Sequence, residues 1–193
     1  MNINRKEIII NSAITLFAQS GFASVSTSAV AKHAGVAEGL IFHYFNTKED
    51  ILLCILEQVS EKYLDGFKAR KADCSTGIEV VRAFIEYNAD FHQEYSDALL
   101  ILFRDLPSSF LQEGNPHYEA LRRGLNEIIG LLEEGVGQGK KDGTIRDVSE
   151  HETALLIWGM VHGSTRLELL EPIDVPDLTD LSVDFCIKAI EKK

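Results

Sequence analysis

The sequence predicts an all-α protein of about nine helices. Three observations lead there. Apolar residues recur at helical spacing along almost the whole chain, no convincing strand pattern appears, and Gly, Pro, Ser and Thr stand where one helix would stop and the next begin. The 193 residues, 45% hydrophobic and 25% charged, suffice to bury a core in one domain or two small ones.

In chain order, the first helix spans about Arg5–Ser20, with Ile9, Ala13, Leu16 and Phe17 on one face and Gly21 as its stop. Ser26 or Thr27 caps a short helix to Ala34, Gly35 makes the turn, and a second short helix runs from about Ala37 to Tyr44. Thr47 opens a long helix to about Lys71, with Glu49 and Asp50 favourable in its first turn. Further helices are expected over about 76–94 and 96–106. A loop follows from Pro107 to Pro116, then a helix to about Val136. The Gly-rich stretch "GQGKKDGTIRD" reads as a break. Ser149 caps a helix to about Leu170, "EPIDVPD" breaks again, and a last helix covers about 178–191.

The net charge of −11 is uneven. The four basic and four acidic residues of 1–50 cancel, so the whole deficit lies in 51–193. That asymmetry points to two functional parts. Cys54, Cys74 and Cys186 are scattered without CxxC spacing, which speaks against a disulfide framework or a structural zinc site and fits a reducing cytoplasm. The N-terminal "NRKEIIINSAITLFA" has the outline of a signal peptide. Glu7, Asn11, Ser12 and Thr15 interrupt it, so an amphipathic helix is expected; no run approaches the length of a membrane span.

The stretch Ala29–Asp50 meets the needs of a helix-turn-helix. Ala31 is small enough for a close crossing, Gly35 tolerates the left-handed turn, and Ile41 faces back. Val30, Val36 and Phe45 would complete a small core, closed by Leu16 and Phe17. Spacing alone describes equally well a helical hairpin that only packs.

The run Phe22–Ile51, "FASVSTSAVAKHAGVAEGLIFHYFNTKEDI", resembles the N-terminal signature of the TetR family of bacterial transcription regulators. His43-Tyr44-Phe45 and Lys48-Glu49 match its H-Y-F-like run and K-E-like helix start. The all-helical order, "GQGKKDGTIRD" and "GMVHGSTRLELL" resemble the rest of the family more loosely. The resemblance implies a helix-turn-helix DNA-binding domain over 1–47 and a helical effector-binding and dimerisation domain over 48–193. It implies phosphate contacts from Thr27, Ser28, Tyr44 and Lys48, base contacts from Glu38, Gly39, Phe42 and His43, and Leu40 beside the sugar-phosphate chain. Many relatives carry a basic residue at Ser28 or Glu38, threonine at Leu40 and tyrosine at Phe42. Fewer phosphate contacts and a shallower salt dependence are therefore expected. Glu38 either accepts from a cytosine amine or caps its own helix; both readings stay open.

For the larger half, the resemblance implies a site for a small, often hydrophobic effector. Phe67, Phe84, Tyr87, Phe91, Phe103, Trp158 and His162 are its candidate lining, though each would serve equally in an ordinary core. Gly159 and Gly163, four apart on one helix, suggest close packing against a helix of a second subunit or of the same chain. The expected partners are thus a palindromic double-stranded operator, a small molecule and a second copy, with no membrane.

"GVGQGKKDG" lacks the GxxxxGK[ST] order of a phosphate loop. Glu86, Asp90, His92 and Glu94 do not share one helix face, and no nucleophile motif appears, so no cofactor, metal or enzymatic activity is expected. The competing readings are a helical assembly protein and a helical-bundle enzyme with an acidic site.

Overall fold

The computed structural model describes residues 4–170 and 176–193. Nine α-helices are found there: α1 (Arg5–Ser20), α2 (Thr27–Ala34), α3 (Glu38–Tyr44), α4 (Lys48–Lys71), α5 (Gly77–Glu94), α6 (Ser96–Arg104), α7 (Pro116–Asp142), α8 (Glu150–Leu170) and α9 (Thr179–Ile190), with one 3-10 turn at Ser108–Leu111. Among the described residues there is no strand beyond an isolated antiparallel bridge between Ile145 and Glu191. The expected break at "EPIDVPD" falls partly on 171–175, outside the described residues.

The chain forms two compact units, Met1–Ser60 with Tyr95–Arg122, and Glu61–Glu94 with Arg123–Lys193. The first extends beyond the 1–47 domain expected, for a tertiary reason. Ala98, Ile101 and Phe110 are buried in the same apolar cluster as Ile9, Phe17, Val30, Ile41 and Phe45. Arg104 Nη2 donates to the Phe17 and Ala18 carbonyls at 2.8 and 3.0 Å, satisfying the C-terminal end of α1.

In the second unit, α5 packs on α8 and α9, and α8 on α9. The helix α7 runs on to Asp142, so the Gly-rich break begins only at Gly143. Two of the glycines of "GVGQG", Gly135 and Gly139, mark a helix contact instead. A Cβ built on Gly77 at the start of α5 would lie 1.9 Å from the Gly139 nitrogen and 2.4 Å from the Gly135 carbonyl. Asp142 then ties the two helices, accepting from Gly77 N at 2.8 Å and from the Thr144 hydroxyl at 2.6 Å. These bonds hold its carboxyl below the usual carboxylate range.

Candidate nucleic-acid interface

The α2–α3 pair is built from local rules. Ser26 caps α2, its hydroxyl accepting from Ala29 N at 3.1 Å. Gly35 takes φ 65°, ψ 33°, the left-handed conformation that reverses the chain. Val30, Ala31, Ile41 and Phe45 point inward and are buried, with Val36 and Leu16 half-buried beside them.

Burying that face of α3 turns the other outward. Phe42 is 54% and Tyr44 39% exposed, and Glu38, Gly39 and His43 are exposed between them. The His43 and Tyr44 rings meet edge-on at 5.0 Å, which fixes both in a shared orientation. A helix of seven residues thus presents two aromatic rings and an imidazole to solvent, although burial would favour the opposite. Ser28 is exposed at the start of α2, Thr27 and Leu40 are half-buried, and all lie within this α2–α3 segment.

Two residues behave otherwise than the sequence suggests. Glu38 makes no cap for α3, whose N-terminus has no side-chain hydrogen bond; its carboxylate accepts from the Thr27 hydroxyl at 3.3 Å, linking the two short helices. Lys48 turns its ammonium inward. It donates to the carbonyls of Phe22 and Val25 at 2.7 and 2.9 Å, reaches that of Ala23 at 3.4 Å, and sits 4.3 Å from the Phe22 ring centre. All three ammonium protons are engaged by the α1–α2 loop.

Residues 9–55 match the profile of the bacterial regulatory proteins of the tetR family. This segment, about a quarter of the chain, thus carries the N-terminal domain signature of the TetR family. Among sequence relatives, a fatty acid metabolism regulator protein of Bacillus subtilis is 28% identical over 132 residues, covering 68% of each chain. The HTH-type transcriptional regulator UidR of Escherichia coli is 25% identical over 175 residues, 88% of this chain and 82% of that protein. Among solved structures, the regulator FadR from Bacillus subtilis in complex with stearoyl-CoA superposes with a TM-score of 0.83 at 19% identity, over 95% of this chain and 98% of that one. The matched segment contains α2–α3, which corresponds to the helix-turn-helix of that DNA-binding domain.

Of the seven candidate effector residues, the structure gathers six in the second unit. Phe67 and Phe84 meet at 5.2 Å, Tyr87 and Phe91 at 5.8 Å, Phe84 and Trp158 at 6.3 Å, and Trp158 and His162 at 3.8 Å between ring centres. Phe103 belongs to the first unit. Tyr63 is edge-on to Tyr87 and Phe91 at 5.1 and 5.0 Å. Sequence reasoning passed over Tyr63, and likewise Asn88, although Asn88 stands on the apolar stripe Phe84–Tyr87–Phe91 at helical spacing. Burial pushes the Tyr63 phenol well up and holds His92 and His162 down to about 4, so all three are neutral at pH 7. Within this unit Thr165 Oγ1 donates to the Val161 carbonyl at 3.0 Å, which leaves the His92 ring to donate to Thr165.

Among the described residues Gly159 and Gly163 mark no close contact: a Cβ on either would meet nothing within 4 Å. They lie on an open face of α8 with Leu156, which is 75% exposed, and Leu167. On α9, Leu181 and Phe185 are exposed as well. No helix among the described residues is long and apolar enough to cross a membrane.

Proposed function

We infer that this chain is a homodimeric, ligand-responsive repressor, released from a palindromic operator by a small, largely hydrophobic effector. The outward display of Phe42, His43 and Tyr44 on α3 carries the reading, because a helix that only packed would bury such rings. In this reading α3 enters the major groove. Phe42, His43 and Glu38 face base edges, Gly39 lets the backbone approach, and Leu40 lies beside the sugar-phosphate chain. Thr27, Ser28 and Tyr44 hold phosphates, while Lys48 shapes the domain that presents them.

A second copy covers the open face of α8 and α9. Exposed Leu156, Leu167, Leu181 and Phe185 form an apolar surface, and Gly159 and Gly163 leave room for a partner helix to approach closely. Two-fold symmetry then sets the reading helices about one DNA turn, ~34 Å, apart or a multiple of it. The aromatic cluster of the second unit supports effector binding, as does the stearoyl-CoA complex of a protein with the same fold. Effector binding biases the spacing of the two reading helices through α4, whose residues 48–60 belong to one unit and 61–71 to the other. A coupling of ~1–3 kcal/mol is sufficient for such a switch.

The test is selection from a random duplex library with the purified protein. Recovery of an inverted repeat is expected, with ~10- to 100-fold weaker binding for Phe42→Ala and Tyr44→Ala at unchanged helicity. Failure to enrich any sequence removes the reading. Sedimentation of a Leu156→Glu/Phe185→Glu variant tests the dimer: a monomer is expected, and an unchanged dimer places the interface elsewhere.

A further inference from the structure

Asn88 sits in the middle of α5 and is 1% exposed. Its amide nitrogen donates to the Phe84 carbonyl one turn back at 2.7 Å and to the Tyr63 hydroxyl at 2.8 Å. A backbone carbonyl only accepts, so this contact fixes which end of the amide is nitrogen. The oxygen Oδ1 consequently points elsewhere, and among the described residues nothing bonds to it. Tyr63, having accepted from Asn88, keeps a hydroxyl proton to give.

The surroundings raise the cost of that orphan acceptor. The rings of Phe84, Tyr87 and Phe91 are grouped around that of Tyr63, the hydrogen-bond partner of Asn88. A leucine at this position would leave no buried oxygen unpaired. The local charge is also distinctive. His92 and His162 are neutral, and the guanidinium of Arg70, 5.8 Å from the Tyr87 ring centre, is bound to Asp90 at 2.8 Å on the exposed side. A carboxylate arriving here would set a second pure acceptor against Oδ1, while the nearby guanidinium of Arg70 is already paired with Asp90. A hydroxyl or amide group would satisfy both protein groups at once.

We propose that Asn88 and Tyr63 are the polar anchor of the effector site, and that the effector's buried part is uncharged and apolar apart from a hydroxyl or amide that donates to Asn88 Oδ1 and accepts from Tyr63. The assignment rests on the second unit being the effector-binding half.

Trp158 is the chain's single tryptophan and lies beside Phe84, so its fluorescence reports on this cluster. The full-length protein is titrated with decanol, decyl methyl ether and decanoate, which share a chain and differ at the head. The same three heads on a phenylbutyl skeleton form a second series, and calorimetry confirms each affinity. On the skeleton that binds, the alcohol is expected to bind ~10-fold tighter than the ether or the carboxylate, the discrimination of one buried hydrogen bond. Asn88→Leu removes that preference, and Tyr63→Phe reduces it. The Tyr63→Phe/Asn88→Leu double variant removes it in a fully apolar setting, so a folding defect in one variant does not decide the matter. Equal binding of alcohol and ether, as an internal water on Oδ1 would give, overturns the proposal. So does a preference for the carboxylate, or a preference that survives in the Asn88 variants. These outcomes leave the effector-binding reading standing. Should none of the six probes shift Trp158 or change DNA affinity, both fall together.

Discussion

Replacing Lys48 by alanine removes three contacts from the α1–α2 loop, to the carbonyls of Phe22, Ala23 and Val25, and the cation over the Phe22 ring. Hydrogen bonds to a charged donor contribute ~1.5–3 kcal/mol, and a partly shielded cation–π contact adds ~0.5–1 kcal/mol. Water can reach the Ala23 carbonyl, whereas the other two are part-buried, so a net loss of about 2 kcal/mol is expected. For a chain of this size that lowers the melting temperature by ~4–8 °C. Lys48→Met keeps the aliphatic stem over Phe22 and should show most of the same loss. The second measurement decides the role. A lysine on phosphate contributes ~0.9 to the slope of log K against log salt. With the ammonium engaged by the loop, anisotropy titrations between low and high salt should give wild-type and variant the same slope. A slope shallower by about one, with melting unchanged, would refute the positioning role and restore Lys48 to the phosphates.

Acid should weaken the second unit before it weakens the first. Burial holds His92 and His162 at about 4, so as pH falls below 6.5 the unfolded chain takes up protons first. Their contribution is complete above ~6.5 and is lost between there and about 4, up to ~3 kcal/mol per ring and less for a coupled pair. Urea midpoints at pH 7 and 5 should therefore differ, and His162→Phe should narrow the gap. Gly77→Ala drives a methyl into the backbone of α7 and should cost ~3 kcal/mol by calorimetry, whereas Gly159→Ala meets open space and should leave the isolated subunit intact while weakening the dimer. Glu38→Gln should move the preferred base from cytosine towards adenine at one operator position in a selection experiment. An unchanged preference would leave Glu38 only its bond to Thr27.

Most of this fold is legible in the sequence because it is local. Ser26, Gly35 and the spacing of Val30, Ala31, Ile41 and Phe45 are decided within twenty residues, and the exposure of Phe42 and Tyr44 follows once Ile41 is assigned inward. What the sequence hides depends on distant partners. Lys48 meets carbonyls 23–26 residues away, and Arg104 joins α6 to α1 across 86 and 87 residues. The α7 glycines look like breakers because the helix that needs them small begins nearly sixty residues earlier, at Gly77. Asn88 was visible as a polar residue on an apolar stripe, yet only the geometry shows which of its atoms lacks a partner.

The placement of Lys48 changes how this regulator must obtain its affinity. Residues 1–50 carry no net charge, and one of their four basic side chains is committed to the α1–α2 loop. Each half-site is then held by few phosphate contacts, and the acidic remainder, screened beyond ~8 Å at physiological salt, adds no attraction. In the proposed dimeric repressor, affinity comes from base edges read by α3 and from tethering two weak half-sites, where the second binds at the effective concentration set by the first. A protein held in that way is easily released. In that proposal an effector need not unfold or repel anything; it has only to displace one reading helix from the register of the other, which withdraws the tethering advantage at once. The scarcity of cations on the reading domain and the modest ~1–3 kcal/mol that a small buried ligand can supply are thus matched to each other.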